Sequence, residues 1–215
     1  MTPVDDDAPP GSPAESLALI RQEQDKATRT IALNPLVYYV PWGLAWLIGF
    51  WLLFLRYGPG GRVYVDLPGW LPLVCLFVLM ALAMVSTAVA SAVRGRGLAG
   101  RSSWQGSAYG FAWFLAFTGV GMTMNHFAEL LPEAERGLLW ATVSVGVVGV
   151  MYMTGAAIWL SRDMFIFGAW LTVINIAGVA AGAGWHSLII SVGGGGGLCL
   201  LGLLLELRYR AGRRA

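Results

Sequence analysis

Four ionisable side chains flank the hydrophobic segments of this chain in types and spacings that could bind a divalent metal ion or carry protons. His126 and Glu129 are three residues apart, which places both on one face of a helix. His186 opens the last hydrophobic segment, and Asp66 lies in the first predicted outer loop. Imidazole and carboxylate groups can do either task. Because nothing in the sequence brings His186 to His126, the competing interpretation is that these groups are simply solvated.

A second polar site is predicted around a run of five glycines, which are Gly193, Gly194, Gly195, Gly196 and Gly197. The run lies inside an apolar stretch, where lipid favours helix even without side chains. Asn175 lies nine residues before the turn expected near Gly184 and Gly193 nine after it, so an antiparallel hairpin sets the amide against the run. Either Asn175, the glycines and His186 line a substrate path, or the amide joins two closely packed helices, an interaction of ~0.6–2 kcal/mol.

Catalytic motifs are absent from the sequence. It contains no HExxH pattern, no P-loop, no dinucleotide fingerprint and no Ser or Cys nucleophile beside a histidine. The hydrophobic segments also lack the paired Asp, Glu or Arg residues of strongly ion-coupled carriers. We therefore predict no enzyme activity and no cofactor. A metal-dependent intramembrane enzyme using His126, Glu129 and His186 is the least favoured alternative.

The elements that must position these residues are membrane helices. Of the 215 residues, 57% are hydrophobic and 12% charged, a composition outside the soluble globular range. Six apolar segments are long enough to cross the bilayer: 36–55, 70–93, 106–127, 137–160, 164–182 and 187–207. The sequence predicts an all-α, multi-pass protein of the cytoplasmic membrane with six transmembrane helices. A net charge of +2 gives no reason to expect nucleic acid as a partner.

The distribution of basic residues predicts the orientation. Counted by loop, eleven Lys and Arg residues fall on the side of the two termini and three on the other side. Basic loops stay in the cytoplasm, so both termini are predicted to be cytoplasmic.

Four regions are predicted along the chain. Residues 1–13 form an acidic, disordered tail, and 14–33 an amphipathic helix on the membrane surface that begins with a capping box at Ser12. Residues 34–207 are the six-span domain, and 208–215 a basic tail suited to anionic lipid headgroups. The lipid bilayer is the expected surrounding, and a homo-oligomer is compatible with the pattern.

A short motif recurs in the odd-numbered spans. Gly43-Leu44-Ala45-Trp46 resembles Gly110-Phe111-Ala112-Trp113, and Gly168-Ala169-Trp170 is a looser match. Three helical hairpin repeats would explain the spacing, although such strings also arise from composition alone.

Parts of the chain resemble a known group of membrane proteins. The segments that carry the resemblance are Asn34-Pro35 with 42–50, Asp163-Met164-Phe165, and 184–189. They are similar to small six-helix actinobacterial proteins labelled "transporter" or "integral membrane protein", and the layout is loosely similar to acid-resistance membrane proteins with three hairpins. The resemblance implies no substrate and no functional residues. We therefore hold two hypotheses, a small-solute transporter or channel, and a non-transporting structural or regulatory protein.

Overall fold

The computed structural model describes residues 12–19, 34–94 and 101–212, and all regular structure in these ranges is helical. Residues 13–19 form a short helix in a unit of its own. Its first turn is capped as predicted, because the backbone N–H of Glu15 donates to Ser12 Oγ at 3.2 Å. The acidic tail over 1–11 and the rest of the predicted surface helix, 20–33, lie outside the described residues.

In the described part of the second unit there are seven α-helices, one short 3₁₀ helix (Pro59–Gly61) and one π-helical segment. The α-helices and the π segment are α1 (Pro35–Arg56), α2 (Leu71–Arg94), α3 (Arg101–Ala128), α4 (Glu133–Trp159), α5 (Arg162–Ala181), α6 (Ala183–Ile189), the π segment (Ile190–Gly196) and α7 (Gly197–Gly212). Helix α6, the π segment and α7 follow one another without a break and form a single long helix, which we call the last helix.

Five of these helices are long and apolar enough to cross a membrane, within the described residues: α1, α2, α4, α5 and the last helix. They agree with five of the six predicted spans. Helix α3 covers the remaining predicted span, 106–127. Its 28 residues are long enough to cross a membrane, but its composition is less apolar than that of the other five. The count of six spans, the three-hairpin repeat and the cytoplasmic termini therefore stay predictions.

Helix α1 lies at the centre of the bundle. It packs against α2 on one side and against all parts of the last helix on the other. Helix α5 packs against the last helix and α4, and α4 carries α3 on its outer side. The buried core lies where α1, α4, α5 and the last helix meet, with Trp46, Val145, Leu171 and Ile190 among its members.

The connection before the last helix is shorter than predicted. Residues 183–186 were expected to be a loop, but helix α6 begins at Ala183. The chain turns instead at Gly182, whose φ of 94° favours glycine because a Cβ would be strained there. The turn thus lies two residues before Gly184, which changes the register of the hairpin.

Gly184 allows the loop between α1 and α2 to pack closely against the start of α6. A Cβ at this position would collide with the backbone of Gly58 and Pro59, in the loop between α1 and α2. The loop's short 3₁₀ turn, Pro59–Gly61, therefore lies directly over the start of α6. This contact covers the N-terminal end of the helix that carries His186.

Candidate functional site at a three-helix crossing

His186 is brought into the bundle by the tight turn at Gly182. Its backbone N–H donates to the carbonyl of Gly182 at 2.8 Å, which closes the first turn of α6. The residue is only 1% exposed, so the imidazole is buried within the bundle. A buried ionisable group inside a membrane bundle is by itself a candidate for function.

Asn175 of α5 is the hydrogen-bond partner of this imidazole. The distance between His186 Nε2 and Asn175 Oδ1 is 2.8 Å. The other end of the amide, Asn175 Nδ2, donates to the carbonyl of Thr142 in α4 at 2.9 Å. Since that bond fixes Oδ1 as the atom facing the ring, and an amide oxygen can only accept, His186 Nε2 is the donor. One chain of hydrogen bonds thus joins α4, α5 and α6.

One glycine, Gly178, allows α5 and α6 to approach this closely. A Cβ on Gly178 would lie 2.8 Å from His186 Cδ2, too near for the ring to keep its place. A Cβ on Gly146 would lie 3.5 Å from Asn175 Nδ2, an ordinary contact. The narrow spacing at Gly178 therefore depends on the missing side chain, as is common at helix interfaces in membranes.

Besides Arg56 Nε, two buried polar atoms have no partner among the described residues: Thr142 Oγ1 at this crossing, and Trp46 Nε1, whose ring lies against Gly194 of the glycine run. The hydroxyls of Thr154 and Thr172 bond to the carbonyl four residues earlier in their own helices, at 2.9 Å each. Thr142 makes no such bond in the described part of the chain. An unpaired buried donor costs roughly 1–3 kcal/mol, so both atoms are suited to receive a hydrogen-bonding guest.

The glycine run is helical, as predicted, but with π geometry over most of its length. A Cβ on Gly195 would collide with the backbone of Leu47, and one on Gly194 would lie 3.1 Å from the Trp46 ring. A Cβ on Gly193 would lie 3.1 Å from Ile174. Gly193 to Gly195 are thus in close contact with α1 and α5, while a Cβ on Gly196 would meet nothing within 4 Å.

Side-chain hydrogen bonds hold the π segment on both sides. Trp170 Nε1 of α5 donates to the carbonyl of Gly193 at 3.0 Å. Ser191 Oγ donates to the carbonyl of Leu47 in α1 at 2.7 Å. A π-helix bonds each carbonyl to the N–H five residues later instead of four, and these two side-chain contacts tie the segment to α5 and α1.

The predicted substrate-path residues are only partly brought together. Asn175 and His186 are in direct contact, which the sequence did not predict. The amide turns away from the glycine run, and it is Ile174 and Trp170 that meet Gly193. The predicted pairing of Asn175 with the start of the run is therefore wrong, because the turn lies at Gly182.

The outer ionisable residues are not assembled into a site. His126 and Glu129 are exposed, and the His126 ring lies edge-on to Phe127 with centroids 4.9 Å apart. Asp66 is exposed in the loop between α1 and α2. Across the ranges 12–19, 34–94 and 101–212, no three His, Cys, Asp or Glu side chains lie close enough together to hold a metal ion. His186 is buried with Asn175 instead.

An open depression of about 480 Å³ lies elsewhere, at the turn between α4 and α5. Met153, Leu160, Arg162 and Phe165 are among the residues that line it. It contains none of the predicted site residues.

Sequence reasoning did not predict the hydrogen bonds made by Thr142 at the crossing and by Trp170 and Ser191 at the π segment. Thr142 takes part through its backbone carbonyl, a group that every residue has, so its residue type gives no signal of this role. Ser191 and Trp170 could have been noticed as polar groups flanking the glycine run, but their partners are carbonyls whose orientation only the packed helices define.

The helices and the buried polar crossing together define the class, a helical multi-pass membrane protein. No protein-family model, no curated protein and no solved structure matches the chain.

Proposed function

We propose that this protein carries a small polar solute across the cytoplasmic membrane, with both termini in the cytoplasm. The observation that supports the proposal is the buried hydrogen-bond chain from His186 through Asn175 to the carbonyl of Thr142. Polar and ionisable groups placed inside a bundle are costly in lipid and are usually retained for function.

The expected solute accepts hydrogen bonds. Trp46 Nε1 can only donate, and Thr142 Oγ1 is a hydroxyl that lacks a partner in the described residues. Both lie in helices that pack against the parts of the last helix carrying His186 and the glycine run. A neutral amide, urea or polyol would offer oxygen atoms to such donors without the cost of burying a charge.

The close contacts of the glycine run favour a carrier over an open channel. The backbones of α1 and the π segment touch at Leu47 and Gly195, and Gly43 lies against the carbonyl of Gly195. A static path along this face is therefore closed, and passage requires the last helix to move relative to α1. A helix with π geometry and a run of glycines is suited to bend at that point.

The proposal is tested by solute uptake in reconstituted liposomes. We would record volume changes by stopped-flow light scattering for urea, acetamide and glycerol, with wild-type protein, His186→Ala and Thr142→Val. His126→Ala is the matched control, since it removes the other histidine from an exposed position. The expected result is flux above that of empty liposomes, lost in the first two variants and kept in the third. Equal flux in wild type and His186→Ala would contradict the assigned site.

A non-transporting structural or regulatory role is the second candidate. It is favoured by tight backbone contacts away from the polar crossing, such as Gly168 of α5 against the carbonyl of Gly149 in α4, 2.7 Å from a built Cβ. In this role the N-terminal segment and the basic tail would contact a partner or anionic lipid. Unchanged partner recovery and membrane association after deletion of residues 1–33 would count against it.

A further inference from the structure

The open depression between α4 and α5 lies where two membrane-length helices end. The apolar span of α4 ends at Trp159, and that of α5 begins at Arg162. Trp159 is exposed at this boundary, as tryptophans are where a membrane meets water. Between the two helices stand only Leu160, whose left-handed φ of 51° ends α4, and Ser161, which caps α5. The depression is therefore at the level where lipid headgroups meet their acyl chains.

The lining of the depression is apolar along α4 and cationic at the turn. Met153, Ala157 and Leu160 follow one another at helical spacing, so they form a continuous apolar wall. This wall runs about 10 Å back from the turn into the span, at 1.5 Å per residue. Arg162 and Phe165 of α5 face it. We call this feature the Arg162 groove, and its volume of about 480 Å³ is in the range of ligand pockets.

Arg162 carries a positive charge that no described residue offsets. Two other arginines at this end of the bundle are paired, Arg208 with Asp163 at 3.3 Å and Arg210 with Glu206 at 2.7 Å. In the described part of the second unit, the remaining acidic residues lie at the opposite end, in the loop between α1 and α2 and around the start of α4. The exposed guanidinium of Arg162 is therefore available to an anion beside an apolar wall.

We propose that the Arg162 groove binds one anionic phospholipid. Its phosphate accepts hydrogen bonds from the Arg162 guanidinium, whose planar fork matches phosphate oxygens, and one acyl chain lies along the wall from Leu160 to Met153. A soluble anion would make no use of the apolar wall, and a lipid without net charge would leave the cation unmatched. The site is separate from the solute site proposed above, and neither depends on the other.

The groove also differs from a general attraction of basic residues to the membrane surface. Such an attraction acts on every cation near the headgroups. In the groove, one cation and one apolar wall act on the same molecule. Binding should therefore depend on Arg162 and on the shape of the wall, and it should persist in micelles of uncharged detergent, where no charged surface is present.

The test measures lipid binding to the purified full-length protein in uncharged detergent. Phosphatidylglycerol and phosphatidylcholine with the same acyl chains are titrated, and bound lipids are counted by native mass spectrometry. Arg162→Gln removes the cation, and Ala157→Leu fills the wall at an exposed position. Arg136→Gln is the charge control, since Arg136 is exposed in the first turn of α4, at the other end of that helix. Ala81→Leu, at an exposed position of α2, is the control for added bulk.

The expected result is one phosphatidylglycerol bound several-fold more tightly than phosphatidylcholine by the wild type. Arg162→Gln should weaken phosphatidylglycerol roughly fivefold, the effect of one basic residue, and Ala157→Leu should weaken both lipids. The two controls should bind as the wild type does. Melting temperatures without added lipid check that each variant folds.

Three outcomes would overturn the proposal. An equal loss in Arg136→Gln would mean a general attraction of charge, and unchanged binding in Ala157→Leu would mean that no acyl chain occupies the wall. Full competition by equimolar glycerol 3-phosphate, which has the phosphate without the chains, would mean that the site takes a soluble anion.

Discussion

His186 Nε2 lies 2.8 Å from Asn175 Oδ1, so the imidazole of the last helix is bonded to the amide of α5 across the turn at Gly182. This pair is the part of the bundle where an ionisable group, an amide and a backbone carbonyl meet away from water. Its position between three helices means that it can couple their movements as well as stabilise their packing.

Replacing Asn175 by Leu is expected to lower the free energy of unfolding by about 1–3 kcal/mol, because it removes the acceptor for His186 and the donor to Thr142. The measurement is unfolding in detergent micelles. His126→Ala should change the same quantity by less than about 0.5 kcal/mol, since its ring is exposed. A loss for His126→Ala as large as that for Asn175→Leu would argue that neither value reports the buried pair.

Gly195→Ala and Gly196→Ala are expected to act in opposite directions although the residues are adjacent. A Cβ at Gly195 collides with the backbone of Leu47, and overpacking of this kind costs about 1–3 kcal/mol. A Cβ at Gly196 meets nothing within 4 Å, so the higher helix propensity of alanine should leave stability unchanged or raise it by up to ~1 kcal/mol. Paired thermal melts in one detergent check the sign of each change. Equal losses of stability in both variants would contradict the expected difference between the crowded position at Gly195 and the open one at Gly196.

Ser191→Ala is expected to destabilise the protein by about 1 kcal/mol, since it leaves the carbonyl of Leu47 without the hydroxyl that donates to it at 2.7 Å. Ser187→Ala is the control one turn earlier. The Ser187 hydroxyl lies 3.5 Å from the carbonyl of Ala183, which is the outer limit for a hydrogen bond, so its loss should cost less. Comparable losses for both serines would remove the distinction between the two bonds.

Asp163→Asn is expected to reduce stability by less than about 1 kcal/mol, and less still in high salt, because its pair with Arg208 is solvent-exposed. Unfolding at low and high salt measures the difference between wild type and variant. A large loss in the free energy of unfolding that did not change with salt would show that the Asp163 carboxylate makes an interaction other than this exposed ion pair.

The predicted orientation can be checked with single cysteines in a cysteine-free background. Asp66→Cys in the predicted outer loop should react with a membrane-impermeant maleimide in intact cells, whereas Ser161→Cys should react only after permeabilisation. The physical reason is that basic residues keep their loops in the cytoplasm. Labelling at Ser161→Cys in intact cells would reverse the assignment of sides.

Sequence reasoning reached the helices because their signals are local. Runs of apolar residues, Pro35 at the start of α1, and Ser12 with Glu15 in the capping box each act within a few residues of themselves. The sequence also indicated that the glycine run would be helical, and it gave an interhelical hydrogen bond as one of two possible roles for Asn175. The third predicted span is less clear. Helix α3 is long enough to cross a membrane, but polar residues such as Ser107, Thr118 and Asn125 lower its hydropathy.

The pairing of the helices was decided by the tertiary structure. A turn at the single residue Gly182, rather than a loop over 183–186, changed the register of α5 against the last helix. With this turn, His186 lies inside the bundle and bonds to Asn175. The glycine run instead contacts Ile174, Trp170 and α1. Such a choice depends on one φ angle and on which backbones can approach one another. The sequence by itself therefore determined which segments are helices in a membrane, whereas only their packing determined which side chains meet.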